Sequence, residues 1–61
     1  MLVQHLVIVT SRDGERRHHP IVCAPREIFA KASAILAANS GLSADVWRGA
    51  ERLYSLDAPQ R

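Results

Sequence analysis

At 61 residues the chain is well below the usual length of a domain, which excludes a two-domain enzyme and leaves one small domain or a subunit that leans on a partner. A core of this size rarely supplies more than about 3–5 kcal/mol, and Cys23, the one cysteine, excludes an internal disulfide and suits a reducing compartment. With 48% hydrophobic and 23% charged residues and a net charge of +2, the composition is globular; seven of the eight basic residues are Arg, which suits bidentate contacts to phosphate or carboxylate.

The opening run Met1–Thr10 is apolar, but no basic segment precedes it and Gln4-His5 interrupts it, so it reads as neither a signal peptide nor a membrane span. A soluble, cytoplasmic protein is the expectation. Residues 2–10, rich in Val, Leu and Ile, form a predicted strand that ends before Asp13-Gly14, a strong short hairpin signal, and 16–24 form its partner. With Asp13 and Gly14 as the two turn residues, Ile8 faces His19, Leu6 faces Ile21 and Gln4 faces Cys23. One face then carries Leu6, Ile8, His19, Ile21 and Cys23, the other His5, Val7, Val9, His18, Pro20 and Val22. Both are largely apolar. Helices are expected over one, and a second copy of the chain over the other. Pro20 cannot donate a ladder hydrogen bond, which sends the second strand to an edge.

From Pro25 the hydrophobic period changes from two to 3.6. Pro25 at the first helical position and Ile28, Phe29, Ala32, Ile35 and Leu36 on one face predict a helix over 25–38, broken by Asn39-Ser40-Gly41. Ser43 as N-cap, Asp45 in the first turn and the stripe Val46, Trp47, Ala50, Leu53, Tyr54 predict a second helix over 43–56. Residues 57–61, with Pro59, read as a frayed tail. The expected fold class is α+β, a β-hairpin over 2–24 followed by two antiparallel helices (ββαα), as a single domain.

His5, His18, His19 and Cys23 are all able to bind zinc, but in this register His19 and Cys23 lie four residues apart, roughly 13 Å, too far to share an ion. No metal and no cofactor are expected. Cys23 has no neighbouring base in the sequence, no carboxylate pair is spaced for acid–base chemistry, and the three glycines are dispersed, so an enzyme is not expected. Two basic groups remain: Arg12, Arg16 and Arg17 with His18 and His19 around the hairpin tip, and Arg48 with Arg52. Each is either a solvated face or a contact to an anionic partner. Trp47 and Tyr54 are either core or interface anchors.

The order strand, Pro25-Arg26-Glu27-Ile28-Phe29, Ile35-Leu36, a turn at Asn39-Ser40-Gly41 and the run Val46–Tyr54 resembles, over residues 19–56, the ribbon-helix-helix superfamily of small dimeric repressors and antitoxins of the Arc and CopG type. The resemblance implies a homodimer on double-stranded DNA, strands in the major groove and the start of helix two on phosphate. Arg12, Arg16, Arg17, His19, Ser43, Arg48 and Arg52 are the candidate binding residues; Arg16, Arg17 and His19 would stand at the groove, Ser43 and Arg48 near phosphate. The alternative is a phage or mobile-element protein that inhibits a host protein complex by steric blocking, in the manner of anti-CRISPR inhibitors. A compact fold with surplus apolar strand surface and scattered Arg suits that role.

Overall fold

A computed structural model describes residues 1–59. Its elements are β1 (Val3–Thr10), β2 (Arg16–Cys23), a 3-10 turn at Pro25–Glu27 running into α1 (Ile28–Ala38), β3 (Ser43–Arg48) and β4 (Glu51–Asp57). The four strands form one antiparallel sheet in the order β2-β1-β3-β4. The fold is therefore ββαββ, which corrects the expected ββαα. Among the described residues no helix is long and apolar enough to cross a membrane.

The central place of β1 follows from its composition. Val7, Ile8 and Val9 are three consecutive buried residues, and a strand that buries both faces belongs inside a sheet with neighbours on each side. β2 takes one edge, as Pro20 requires, because an edge strand leaves one row of backbone donors unused. β3 takes the other edge of β1, with Val7 opposite Val46 and Val9 opposite Ala44. The segment read as a second helix is thus a hairpin. Its stripe Val46, Trp47, Ala50, Leu53, Tyr54 satisfies the helical period, but Ala44 and Val46 alternate with Asp45 and Trp47 just as well. A helix would also hold Gly49 in its interior at a cost of about 1 kcal/mol. In the hairpin Gly49 is instead the first residue of a two-residue turn between Arg48 and Glu51, with φ +62°, the sign that a type II′ turn asks of its first position.

The first hairpin is where it was expected, but its register differs by one residue. Ser11 N–H donates to Glu15 O at 2.8 Å and Gly14 N–H to Ser11 O at 3.0 Å, with Gly14 at φ +89°. That is a three-residue loop, Arg12-Asp13-Gly14, closed by a glycine bulge rather than a two-residue turn. Asp13 Oδ1 accepts from the Ser11 hydroxyl and, at 3.1 Å, from Glu15 N–H. The slip places Val3 opposite Cys23, His5 opposite Ile21, Val7 opposite His19 and Ile8 opposite His18. A shift of one residue exchanges the faces of an entire strand, so Cys23, Ile21 and His19 join Val7 and Val9 rather than Leu6 and Ile8.

α1 lies on that Val7–Val9 face. Pro25 opens the turn and Glu27 Oε1 accepts from Ala24 N–H at 3.3 Å. Ile28, Ala32 and Leu36 then pack with Val7, Val9, Cys23, Ala44 and Val46 into the core. The helix ends in a paired closure: Ser40 N–H donates to Ala37 O and Gly41 N–H to Leu36 O, each at 3.1 Å, with Ser40 itself at φ +50°. The left-handed residue is thus Ser40, the middle one of the three residues expected to break the helix. Gly41 serves another purpose, since a Cβ there would run into the Val9 side chain and crowd Leu36. The chain then joins the sheet, Leu42 N–H donating to Thr10 O at 2.8 Å and Ala58 N–H to Leu42 O at 2.9 Å. Asp57 ends β4 and Ala58 is docked, where a tail was read; Gln60 and Arg61 lie outside the described residues.

Candidate functional site

One helix covers one face of a four-stranded sheet. The other face is open, and the register says what it carries. Pro20, Leu6, Trp47 and Arg52 form one cross-strand row, and His18, Ile8, Asp45 and Ser55 the next; Arg16, Thr10, Ser43 and Asp57 form the third. Leu6 and Trp47 are half-buried, Ile8 is 9% exposed at the centre, and Val22 at the β2 edge is 61% exposed. Asp45 organises the charge: Arg52 approaches its Oδ1 at 3.3 Å and Arg16 its Oδ2 at 3.8 Å, one arginine from each edge strand. Both arginine side chains remain more than half exposed, so the pairs contribute little to stability and leave both guanidinium groups open to solvent.

The candidate binding residues divide into three groups. Arg16, Arg52 and Ser43 share the open face. Arg17 and His19 belong to the helix side by register, with Arg17 Nε on Glu15 Oε1 at 3.0 Å and His19 Nε2 buried without a partner among the described residues. Arg12 and Arg48 stand at the two hairpin tips, Arg48 paired with Glu51 at 3.2 Å. The seven residues therefore form no single patch. His19 in particular does not share a face with Arg16, which removes the expected groove trio of Arg16, Arg17 and His19.

Leu6, Ile8 and Asp45 were not among the candidate binding residues, and Trp47 was read as either core or interface anchor on a helical stripe. Asp45 had been assigned to a helix N-terminus. The signal that finds them is the period-two run Ser43-Ala44-Asp45-Val46-Trp47-Arg48 followed by Gly49. Trp47 lies beside Leu6 on the side of the sheet without a helix, whereas Tyr54 packs on the helix side, 6.1 Å from the Phe29 ring centroid. Burial, with Cys23 as a lesser contributor, raises the Tyr54 phenol above its ordinary 10.0.

The helix side holds one further pair. His5 is 1% exposed and Cys23 2%. His5 Nδ1 donates to Val3 O at 2.9 Å and stands 3.9 Å from Cys23 Sγ. The sequence reading had placed these two on opposite faces; the corrected register brings them together. No group of three His, Cys, Asp or Glu side chains converges among the described residues, so the pair lacks the further ligands that a zinc ion would take from protein. The chain matches no family model, no curated protein and no solved structure, and its function has to be read from these faces.

Proposed function

We propose that the protein is a small, non-catalytic binding module of the cytoplasm that docks its open sheet face on the surface of another protein and blocks it sterically, as inhibitors of the anti-CRISPR type do. The observation that carries this reading is the face itself: Leu6, Ile8 and Trp47 with two solvent-exposed guanidinium groups, Arg16 and Arg52. A half-buried tryptophan among aliphatic side chains, with arginines beside it, is the composition of residues that dominate protein interfaces.

Two observations weigh against the repressor reading. The helix that would touch phosphate is a hairpin. Four of the five arginines among the candidate binding residues, Arg16, Arg17, Arg48 and Arg52, each stand beside a carboxylate, whereas phosphate binding draws its affinity from cations free to displace counterions. A homodimer through the open face alone is also poorly supported. Four strands of about seven residues offer roughly 400 Å² per copy, half of the ~800 Å² per partner of a standard interface. The proposal therefore gives the face to a larger partner that reaches beyond it.

The test is a photo-crosslinking residue at position 6 on the open face, with a control at Lys31 on the exposed side of α1, in cells that express the chain. A discrete protein adduct from position 6, absent from position 31 and lost in the R16A/R52A double variant, is the expected result. No adduct from position 6 would end the proposal. Retardation of duplex DNA at low salt, with a steep salt dependence that R16A/R52A flattens, would return the repressor reading in its place.

A further inference from the structure

A second surface lies on the helix side. The outer end of α1, the Ser40-Gly41 turn and the end of β4 enclose a groove of about 520 Å³. This volume falls within the ~300–1,000 Å³ typical of small-molecule sites. Phe29, Leu36, Leu56 and Pro59 supply apolar walls, and Ser33 adds a hydroxyl from the helix. Phe29 is 58% exposed, a large aromatic that the core does not claim. The groove has direction: Phe29 and Ala37 lie eight residues apart on α1, about 12 Å along its axis.

Charge enters at one end only. Arg12, from the tip of the first hairpin, lines the groove and stands in no ion pair among the described residues, unlike Arg16, Arg17, Arg48 and Arg52. Asp57 also borders it, but the register sets Asp57 opposite Ser43, on the other face of β4 from Leu56. Among the described residues the groove therefore presents an apolar trough with one cation at one end. A guanidinium pairs best with a carboxylate, through two parallel N–H···O bonds.

We propose that this groove binds an apolar monocarboxylate, an acyl chain of about eight to ten carbons, with its carboxylate on Arg12 and its tail towards Phe29. The length follows from the 12 Å trough, and the head group from the single cation. The site is independent of the open face, because the sheet lies between them.

The full chain, labelled with nitrogen-15, is titrated with octanoate. Saturable amide shifts at Arg12, Ser33, Ala37 and Leu56, with Leu6 and Trp47 unmoved, are expected. Arg12→Ala should weaken octanoate about fivefold to tenfold while leaving the weaker binding of 1-octanol unchanged, as loss of one charge-assisted contact requires. Ala37→Leu, at an exposed helical position that tolerates the change, should fill the groove and abolish both. Absence of saturable shifts in the groove would overturn the proposal, as would octanol binding as tightly as octanoate with Arg12→Ala having no effect. Binding that appears only after removal of Gln60 and Arg61 would overturn it too, since the chain's own end would then be the occupant.

Discussion

The two faces of the sheet are made from alternate residues of the same strands, and they are built to different rules. On the covered face Val7, Val9, Ala44 and Val46 meet Ile28, Ala32 and Leu36: small aliphatic side chains, nearly dry, with no charge among them. On the open face Leu6, Ile8 and Trp47 share rows with Asp45, Arg16 and Arg52. The comparison separates stability from recognition. Helix packing selects small, stiff, well-fitting residues, whereas a surface that docks on another protein needs large side chains and charges that water still reaches.

The sharpest way to test that division is to truncate one valine on each face. Val46→Ala leaves a cavity under α1 and should cost about 2–3 kcal/mol, most of the stability of so small a domain. Val22→Ala, on the exposed edge of the other face, should cost less than about 0.5 kcal/mol. Urea unfolding of the two variants decides the matter. An equal loss at Val22 that grows with protein concentration would mean that a second copy covers the open face in solution.

Gly41 belongs to the covered side through its closeness to Val9 and Leu36. Gly41→Ala should destabilise by about 1–3 kcal/mol through overpacking, visible as a lowered melting temperature. Asp45→Asn tests the open side. Both of its partners are more than half exposed, so its loss should change stability by less than about 0.5 kcal/mol while altering the charge that a partner meets. The smallest effect is at the tip of the first hairpin. The Ser11 hydroxyl, followed by the Glu15 backbone N–H, holds the fully exposed Asp13 carboxyl below its ordinary 3.8. Its contribution is therefore present above that value and fades as the pH falls through the lowered one. A carbon-13 titration of Asp13 should show the depressed midpoint, and Ser11→Ala should return it towards the ordinary value.

How much could be read in advance differs between the two halves of the chain. The first hairpin and the helix were legible because their signals are local: Val-rich runs bracketing Asp13-Gly14, then Pro25 and a clear change of period. Even there the register was off by one, because Asp-Gly marks a turn without stating its length. Ser11 and Glu15, by closing the ladder one step outside a three-residue loop, moved Cys23 and His19 to the helix face. The second half was not legible. Its residues satisfy two periods at once, and Gly49 is the one local sign that favours the hairpin. The binding residues followed the same line: Arg16 and Arg52 were picked out by charge alone, but Asp45 between them depended on the strand assignment.

What the sequence determined by itself is the inventory: a first hairpin, a helix opened by Pro25 and closed at Asn39–Gly41, and an arginine-rich set of cations. What only the tertiary structure decided is the state of residues 43–57 and, with it, which face of the sheet is free. β1 offers two edges of unpaired backbone groups, and β2 satisfies one. The other had to be met by some segment, since a buried strand cannot leave its amides and carbonyls without partners. That demand, made by a strand more than thirty residues away, turned an apparent helix into β3 and β4 and left Leu6, Ile8 and Trp47 on the side of the sheet without a helix.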